Sequence, residues 1–285
     1  MSQASALRDA RSLLFVPCNR PERFAKAAAS GADAIVLDLE DSVQAEHKAA
    51  AREHLRAQWQ ELRGTGVPLV VRVNSQGTEY WASDLETIAK LSGLAAVMVP
   101  KAESVEALKQ VLSRTVGCHV LPLIETAAGL EAVNSLASAP SVLRLVVGHI
   151  DFMADTGINC DEHETELAPL RFAIAVATRR SELASAIDGV TVQTDDQQRL
   201  RVDTLRAMRF GFGGKLCIHP KQVAWVHAAL APSDADLKWA QRVVEADAAS
   251  GGAAVRLDGT MVDAPVVLRA RRTLARAART RGESS

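Results

Sequence analysis

Short apolar runs alternate along this chain with Ala-rich stretches of helical periodicity, and that alternation restricts the fold more than any other feature. The runs are Leu13–Val16, Ala34–Leu39, Leu69–Val73, Ala95–Val99, Val120–Ile124, Leu143–Val147, Ala186–Val190 and Lys215–Ile218. Most are unbroken rather than alternating, as expected of parallel strands covered on both faces. Between them, apolar residues recur at helical spacing. Phe24, Ala27 and Ala28 follow an N-cap at Asn19 and a first-turn Pro21, and Gly31 ends that unit. Leu55, Trp59 and Leu62 repeat the pattern, as do Val105, Leu108 and Leu112, then Leu130, Val133 and Ala137. The segment Glu166–Leu183 reads as a longer helix.

Strand and helix alternating through short connections imply parallel strands and right-handed crossovers. Eight such units in about 250 residues predict an α/β chain closed as a (β/α)8 TIM barrel, with an open doubly wound sheet as the alternative. The barrel is assigned to residues 1–230. Residues 231–285 exceed what a barrel needs and are read as a helical and hairpin extension, a lid or an intersubunit arm. Its hairpin is placed at Ala254–Val262, after Gly251-Gly252.

Composition narrows the class. Lys plus Arg is 33 against 34 Asp plus Glu, so the net charge of −1 offers no long-range attraction to nucleic acid or an anionic membrane. No apolar run approaches the roughly 20 residues of a spanning helix. The first residues, Met1 to Arg11, lack a secretory core. Cys18, Cys118, Cys160 and Cys217 show no metal-binding spacing. A cytoplasmic protein with neither membrane nor nucleic-acid partner is expected, the arginines of the last helix (Arg269 to Arg281) reading as a solvated helix end.

Function is written where strands end, because a barrel assembles its chemistry at that rim. The second run closes in Asp38, Glu40 and Asp41; the third carries Arg72; the fourth ends in Lys101, the fifth in Glu125, the sixth in His149 and Asp151, the eighth in His219. Glu125 and Asp151 come from neighbouring strands. Two carboxylates at a barrel mouth suit a hard cation such as Mg2+; a pair of surface or helix-capping acids is the competing reading. Arg72, inside an apolar run, needs an anionic partner. It reads either as a clamp for a substrate carboxylate or thioester oxygen or as an ion pair with Asp38 or Glu40, and the two are compatible. Cys18 reads as a passive thiol, and Gly211-Phe212-Gly213-Gly214 as a tight turn.

A series of motifs runs from Arg11-Ser12-Leu13-Leu14-Phe15-Val16-Pro17 and Asn19-Arg20-Pro21-Glu22-Arg23-Phe24 through Asp38-Leu39-Glu40-Asp41-Ser42-Val43 and Val71-Arg72-Val73-Asn74. Val99-Pro100-Lys101-Ala102-Glu103, Pro122-Leu123-Ile124-Glu125-Thr126-Ala127, Gly214-Lys215-Leu216-Cys217-Ile218-His219-Pro220 and Asp258-Gly259-Thr260-Met261-Val262-Asp263-Ala264-Pro265 follow in order. Together they resemble the β subunit of citrate lyase and its relatives in the HpcH/HpaI aldolase family, the malyl-CoA and citramalyl-CoA lyases. The resemblance implies a TIM barrel assembled as a homotrimer or hexamer, with Mg2+ held by Glu125 and Asp151. It implies backbone amides at Gly148 and Ile150 that hold the substrate carboxylate, and Arg72 facing the thioester carbonyl. Asp263 is implied to move the proton at the enolate carbon, in several relatives within a neighbouring protomer. Asp38, Glu40 and Asp41 are implied to orient Arg72 and metal-bound water. The chain departs from many relatives at Cys18 and at His149-Ile150.

The expected activity is therefore cleavage or formation of a β-hydroxyacyl thioester, carried on coenzyme A or an acyl carrier. A thioester hydrolase or malate-synthase-like enzyme on the same site is the first alternative. A non-catalytic barrel that binds an acyl thioester or a partner subunit is the second.

Overall fold

The computed structural model describes residues 3–280. All the predicted runs become strands: β1 (Ser12–Pro17), β2 (Ala34–Asp38), β3 (Leu69–Arg72), β4 (Ala96–Val99), β5 (His119–Ile124), β6 (Val146–Val147), β7 (Ile187–Asp188) and β8 (Gly214–Cys217). They pair in sequence order, all parallel, and β8 returns to β1, which closes the barrel and rules out the open sheet. β6 and β7 are much shorter than their apolar runs.

Alternate residues point inward. Leu13 on β1, Val36 on β2, Val70 on β3, Met98 on β4, Leu121 and Leu123 on β5 and Leu216 on β8 belong to one buried cluster inside the barrel. A period of two then carries the same face to Phe15, Asp38, Arg72 and Glu125, so the charged residues are the last inward positions of otherwise apolar strands. Register aligns them: Pro17 pairs with Asp38, Asp38 with Arg72, and Arg72 with Met98.

The surrounding helices follow the predicted periodicity with local differences. Lys48–Gly64 buries Ala51, Leu55, Trp59 and Leu62. The first predicted helix is a three-ten turn, Pro21–Arg23, leading into Phe24–Ala28, and Asn19 does not cap it. The pattern through Leu130 and Val133 is split into Ala127–Glu131 and Val133–Ala137. The long segment from Glu166 is a turn, Thr165–Leu167, followed by a helix, Ala168–Arg180. Gly211, at φ 86°, makes the expected tight turn.

The floor of the barrel depends on a residue that periodicity does not reveal. Arg144 is 1% exposed; its Nε donates to Ser185 O at 2.6 Å, and its Nη1 donates to Ala10 O at 2.5 Å and Leu7 O at 3.2 Å. It thus satisfies carbonyls at the end of the helix Gln3–Asp9, whose Leu7 joins the barrel cluster.

The chain divides into two compact units, Met1–Ala229 and Leu230–Ser285. The second has its own apolar cluster of Ala240, Val243, Val262, Val267 and Ala270. Its helix Asp234–Ala249 starts with a Ser233/Asp236 capping box, and a hairpin of β9 (Val255–Leu257) and β10 (Thr260–Val262) leads to the helix Ala264–Thr280. Arg269 stacks on Trp239 at 4.3 Å and Arg271 pairs with Asp247 at 2.9 Å, so two of the last helix's arginines have partners within this unit. Arg281 lies outside the described residues. Among the described residues no helix is long and apolar enough to cross a membrane.

Removing the Arg144 guanidinium takes a donor from the carbonyls of Leu7, Ala10 and Ser185. Arg144→Met is expected to lower the unfolding free energy by about 3 kcal/mol, measured as a shift in the urea midpoint at unchanged slope.

Candidate active site

At the rim, Arg72 is held from several sides. Its Nε and Nη2 donate to the two oxygens of Asp38, each at 2.7 Å, a bidentate pair of fixed geometry. Its Nη1 donates to Asp41 Oδ2 at 3.2 Å, and the Phe15 ring lies 4.7 Å from the guanidinium carbon. Glu40 Oε2 approaches Nη1 to 2.9 Å without hydrogen-bond alignment, so that contact is electrostatic. Asp38 also accepts from the Glu40 and Ser42 amides and the Ser42 hydroxyl. Burial alone would raise the Asp38 pKa, but Arg72 outweighs it and holds this carboxyl below the usual range. The ion-pair reading of Arg72 is therefore correct. Among the described residues three of its five N–H donors serve carboxylates, which leaves two for a ligand.

Lys48 and Asn74 shape this side of the rim, and neither was singled out from the sequence. Buried Lys48 donates to Leu39 O and Glu40 O, both at 2.8 Å, and to Asn74 Oδ1 at 2.6 Å. The Asn74 side chain in turn donates to Leu39 O and Asp84. Together they fix the backbone between Asp38 and Asp41.

Lys101 and Glu125 dominate the opposite side. Lys101 has φ 43°, a left-handed backbone that costs a non-glycine residue roughly 1–2 kcal/mol. That conformation aims its amide at Glu125 Oε1, 2.8 Å away, and its ammonium at Glu40 (3.3 Å) and Asp151 (3.8 Å). Glu125 is 1% exposed and lies against the backbone of Gly148, where a Cβ would come 2.3 Å from Oε2. A glycine is required there. Gly148 also precedes the helix His149–Thr156, so Ile150 and Asp151 sit in its first turn, where amides lack intrahelical acceptors. Ile150 is half exposed beside them.

The structure thus joins Asp38, Glu40, Asp41, Arg72, Lys101, Glu125, Gly148, Ile150 and Asp151 along one rim. His149 is not with them. It turns inward, where a Cβ on Gly189 would meet its Nδ1 at 2.1 Å, and burial pushes its pKa down to about 4. Beyond it lies a second ionic layer, also unmarked in the sequence. Arg171 bridges Asp188 (3.1 Å) and Glu164 (2.7 Å), and Glu164 receives Arg199 and Arg206 as well, both at 2.7 Å. Asp263 belongs to the second unit, where its Oδ1 accepts the Val266 amide at 3.3 Å. Cys18 is fully buried, and burial raises its thiol pKa well above normal, which suits a passive role.

Beside the rim opens a cavity of about 450 Å³, lined by Phe15 and Pro17 on β1, by Arg23 and Lys26, by Ser42, and by Ile218 and His219 after β8. It combines an apolar wall with basic groups. His219 therefore serves this cavity rather than the carboxylates.

Two of the acids are not fully compensated. Burial first, with Arg72 opposing and Asp41 adding to it, lifts the Glu40 pKa to about 7. Burial and then the charge of Glu40 lift Glu125 to about 8. Among the described residues no three His, Cys, Asp or Glu side chains gather to hold a metal by themselves.

The family model described as HpcH/HpaI aldolase/citrate lyase matches residues 11–220. The citrate lyase subunit beta-like protein of Deinococcus radiodurans is 35% identical over 276 residues, which cover 93% of this chain and 96% of that one. The (3S)-malyl-CoA thioesterase of Cereibacter sphaeroides is 30% identical, covering 94% of both chains. Among solved structures, protein CitE from Mycobacterium tuberculosis in complex with magnesium, acetoacetate and coenzyme A superimposes with a TM-score of 0.82 at 35% identity, covering 95% of this chain and 99% of that one.

The raised acids carry a pH signature. A carboxyl whose folded pKa exceeds its unfolded value near 4.5 binds more protons when folded, so stability is lost as pH rises through the folded value, here about 7 for Glu40 and about 8 for Glu125. His149, lowered to about 4, acts in the opposite sense only below its ordinary 6.5. Without added divalent cation, the thermal midpoint is therefore expected to fall between about pH 6.5 and 8.5, and Glu125→Gln to flatten that fall. Differential scanning calorimetry of both proteins across that range is the check.

Proposed function

The chain belongs to the HpcH/HpaI aldolase/citrate lyase family, and within it we propose that this protein is a Mg2+-dependent carbon–carbon lyase. Its substrate is a β-hydroxyacyl thioester of the malyl, citramalyl or citryl type, cleaved to an acyl thioester and a 2-oxo acid or formed in reverse. The observation that carries this reading is one rim bearing Glu125 and Asp151 opposite the bidentate Asp38–Arg72 pair.

The carboxylates fit a hard divalent ion. Glu125 is buried, receives an amide, and faces the further negative charge of Glu40, which leaves charge to neutralise. Two protein oxygens suit Mg2+, which keeps water or substrate in its remaining positions. When bound, it would neutralise the substrate's carboxylate and polarise its hydroxyl or keto oxygen. Magnesium and coenzyme A in the CitE complex support this assignment.

Cleavage breaks the bond between the hydroxyl-bearing carbon and the thioester's α-carbon. The hydroxyl gives up its proton to water and its oxygen becomes the keto group of the 2-oxo acid, while the electron pair of the broken carbon–carbon bond passes to the thioester as an enolate. Arg72 is assigned to that enolate oxygen through its two remaining N–H donors. Its prior bonds to Asp38 hold it in place, so little reorganisation is needed as charge develops. Asp263 is assigned to deliver a proton to the α-carbon. The amides around Gly148 and Ile150, at a helix start, are assigned to the substrate carboxylate. The cavity beside Phe15, with Arg23, Lys26 and His219, offers an apolar and basic place for a coenzyme A-like carrier. A homotrimer or hexamer is the assembly we assign.

The thioesterase relative supports a second outcome, hydrolysis of the thioester on the same rim. Incubation with Mg2+ and malyl-, citramalyl-, methylmalyl- and citryl-CoA, with products read by mass spectrometry, separates the two. A 2-oxo acid with acetyl- or propionyl-CoA is expected; free coenzyme A with an intact hydroxy acid would instead assign a thioesterase. Turnover of no member would exclude these coenzyme A thioesters and leave a carrier-bound substrate or a non-catalytic binder. Arg72→Lys cannot make the bidentate pair and is expected to lower kcat about 10²- to 10³-fold, in steady-state assays. Full Mg2+-dependent turnover by Glu125→Ala would remove Glu125 from the metal site.

A further inference from the structure

We propose that Lys101 is an internal competitor of the divalent cation, a positioning residue whose ammonium must leave Asp151 when the cation binds. The inference rests on the reading of Glu125 and Asp151 as metal ligands and adds a residue that sets how tightly they hold the ion.

Three observations converge on Lys101. Its backbone adopts the left-handed conformation at φ 43°, which lysine rarely takes, and its own amide, 2.8 Å from Glu125 Oε1, ties that conformation to a candidate ligand. Its side chain spans two further acids, with Nζ 3.3 Å from Glu40 and 3.8 Å from Asp151. Arg72 is committed to Asp38, Asp41 and Glu40, so among the described residues Lys101 is the cation paired with Asp151. A single strained residue thus contacts both candidate ligands and the acid between them.

Mg2+ approaches its oxygens to about 2.0–2.1 Å. An ammonium against the same Asp151 oxygen would face a doubly charged ion at short range, and the repulsion favours one occupant. The contact to Asp151 is the longer of the two, and the Lys101 side chain is 38% exposed, so it has room to withdraw onto Glu40. Glu40 is nearly buried and keeps the ammonium at the rim. Lys101 would thereby hold the acids in register without the cation and limit its affinity.

The test titrates MgCl2 alone into the full chain by isothermal calorimetry. Lys101→Met and Lys101→Gly both remove the ammonium, and glycine accepts the left-handed backbone freely. Both are expected to bind Mg2+ about five- to tenfold more tightly than wild type, with a lower thermal midpoint in the absence of added metal. Lys101→Arg keeps the charge and is expected to stay within about twofold. Unchanged or weaker binding in both neutral variants overturns the inference, as does equal tightening in Lys101→Arg. If wild type binds no Mg2+, the metal-dependent function falls and this inference with it. Wild-type binding with an unaltered neutral variant overturns this inference alone.

Discussion

The Asp38–Arg72 pair is the constraint to which the rest of the rim answers. A guanidinium at the last inward position of a strand is almost wholly withdrawn from water, and an unpaired charge there would be strongly destabilising. Two hydrogen bonds of 2.7 Å to one carboxylate, from the neighbouring strand and in register, make it tolerable. Asp38 must then be fixed, and the Glu40 and Ser42 amides do that by closing a turn over it. The turn needs its own support, which Lys48 and Asn74 supply by capturing the Leu39 and Glu40 carbonyls. Each step follows from an unsatisfied group left by the one before.

How far this was legible in the sequence depends on whether a residue's role follows from a local pattern. The strands were legible because parallel strands buried on both sides must be apolar, and the inward position of Arg72 and Glu125 follows from counting by twos along β3 and β5. The facing of Asp38 and Arg72 was one of two open readings. Lys48 was invisible, because a lysine on an amphipathic helix ordinarily points to water, and its burial depends on carbonyls that only the folded turn creates. Arg144 was invisible for the same reason, its acceptors lying near residues 7, 10 and 185. Asn19 misled in the opposite direction: a favourable capping residue is a weak preference, and here the chain enters through a three-ten turn instead.

His149 and Glu125 show how two glycines sort neighbouring side chains. Glu125 follows β5 and His149 follows β6, and each occupies the space that a Cβ would fill on the glycine after the next strand. Gly148 admits Glu125 to the mouth, and Gly189 admits His149 towards the ionic layer of Asp188 and Arg171. The histidine at position 149 therefore does not crowd the mouth, because its bulk is taken up on the other side. Ile150, half exposed, is the residue of that departure that remains beside the candidate substrate site.

The charge pattern around the mouth explains why strain is tolerated at Lys101. Among the described residues Asp38, Glu40, Asp41 and Asp151 share two side-chain cations in direct contact, Arg72 and Lys101, while Glu125 receives only the Lys101 backbone amide. Arg72 cannot serve the Glu125 side, since its geometry is set by Asp38. The cation on the far side is Lys101, two residues after β4, whose left-handed backbone turns its amide to Glu125 while its ammonium faces Asp151. The local penalty of roughly 1–2 kcal/mol is offset by one amide bond to a buried carboxyl and two ionic contacts. Relaxing that backbone alone would swing the amide off Glu125, so the strained turn and the buried acid stabilise each other and neither position is free to vary independently.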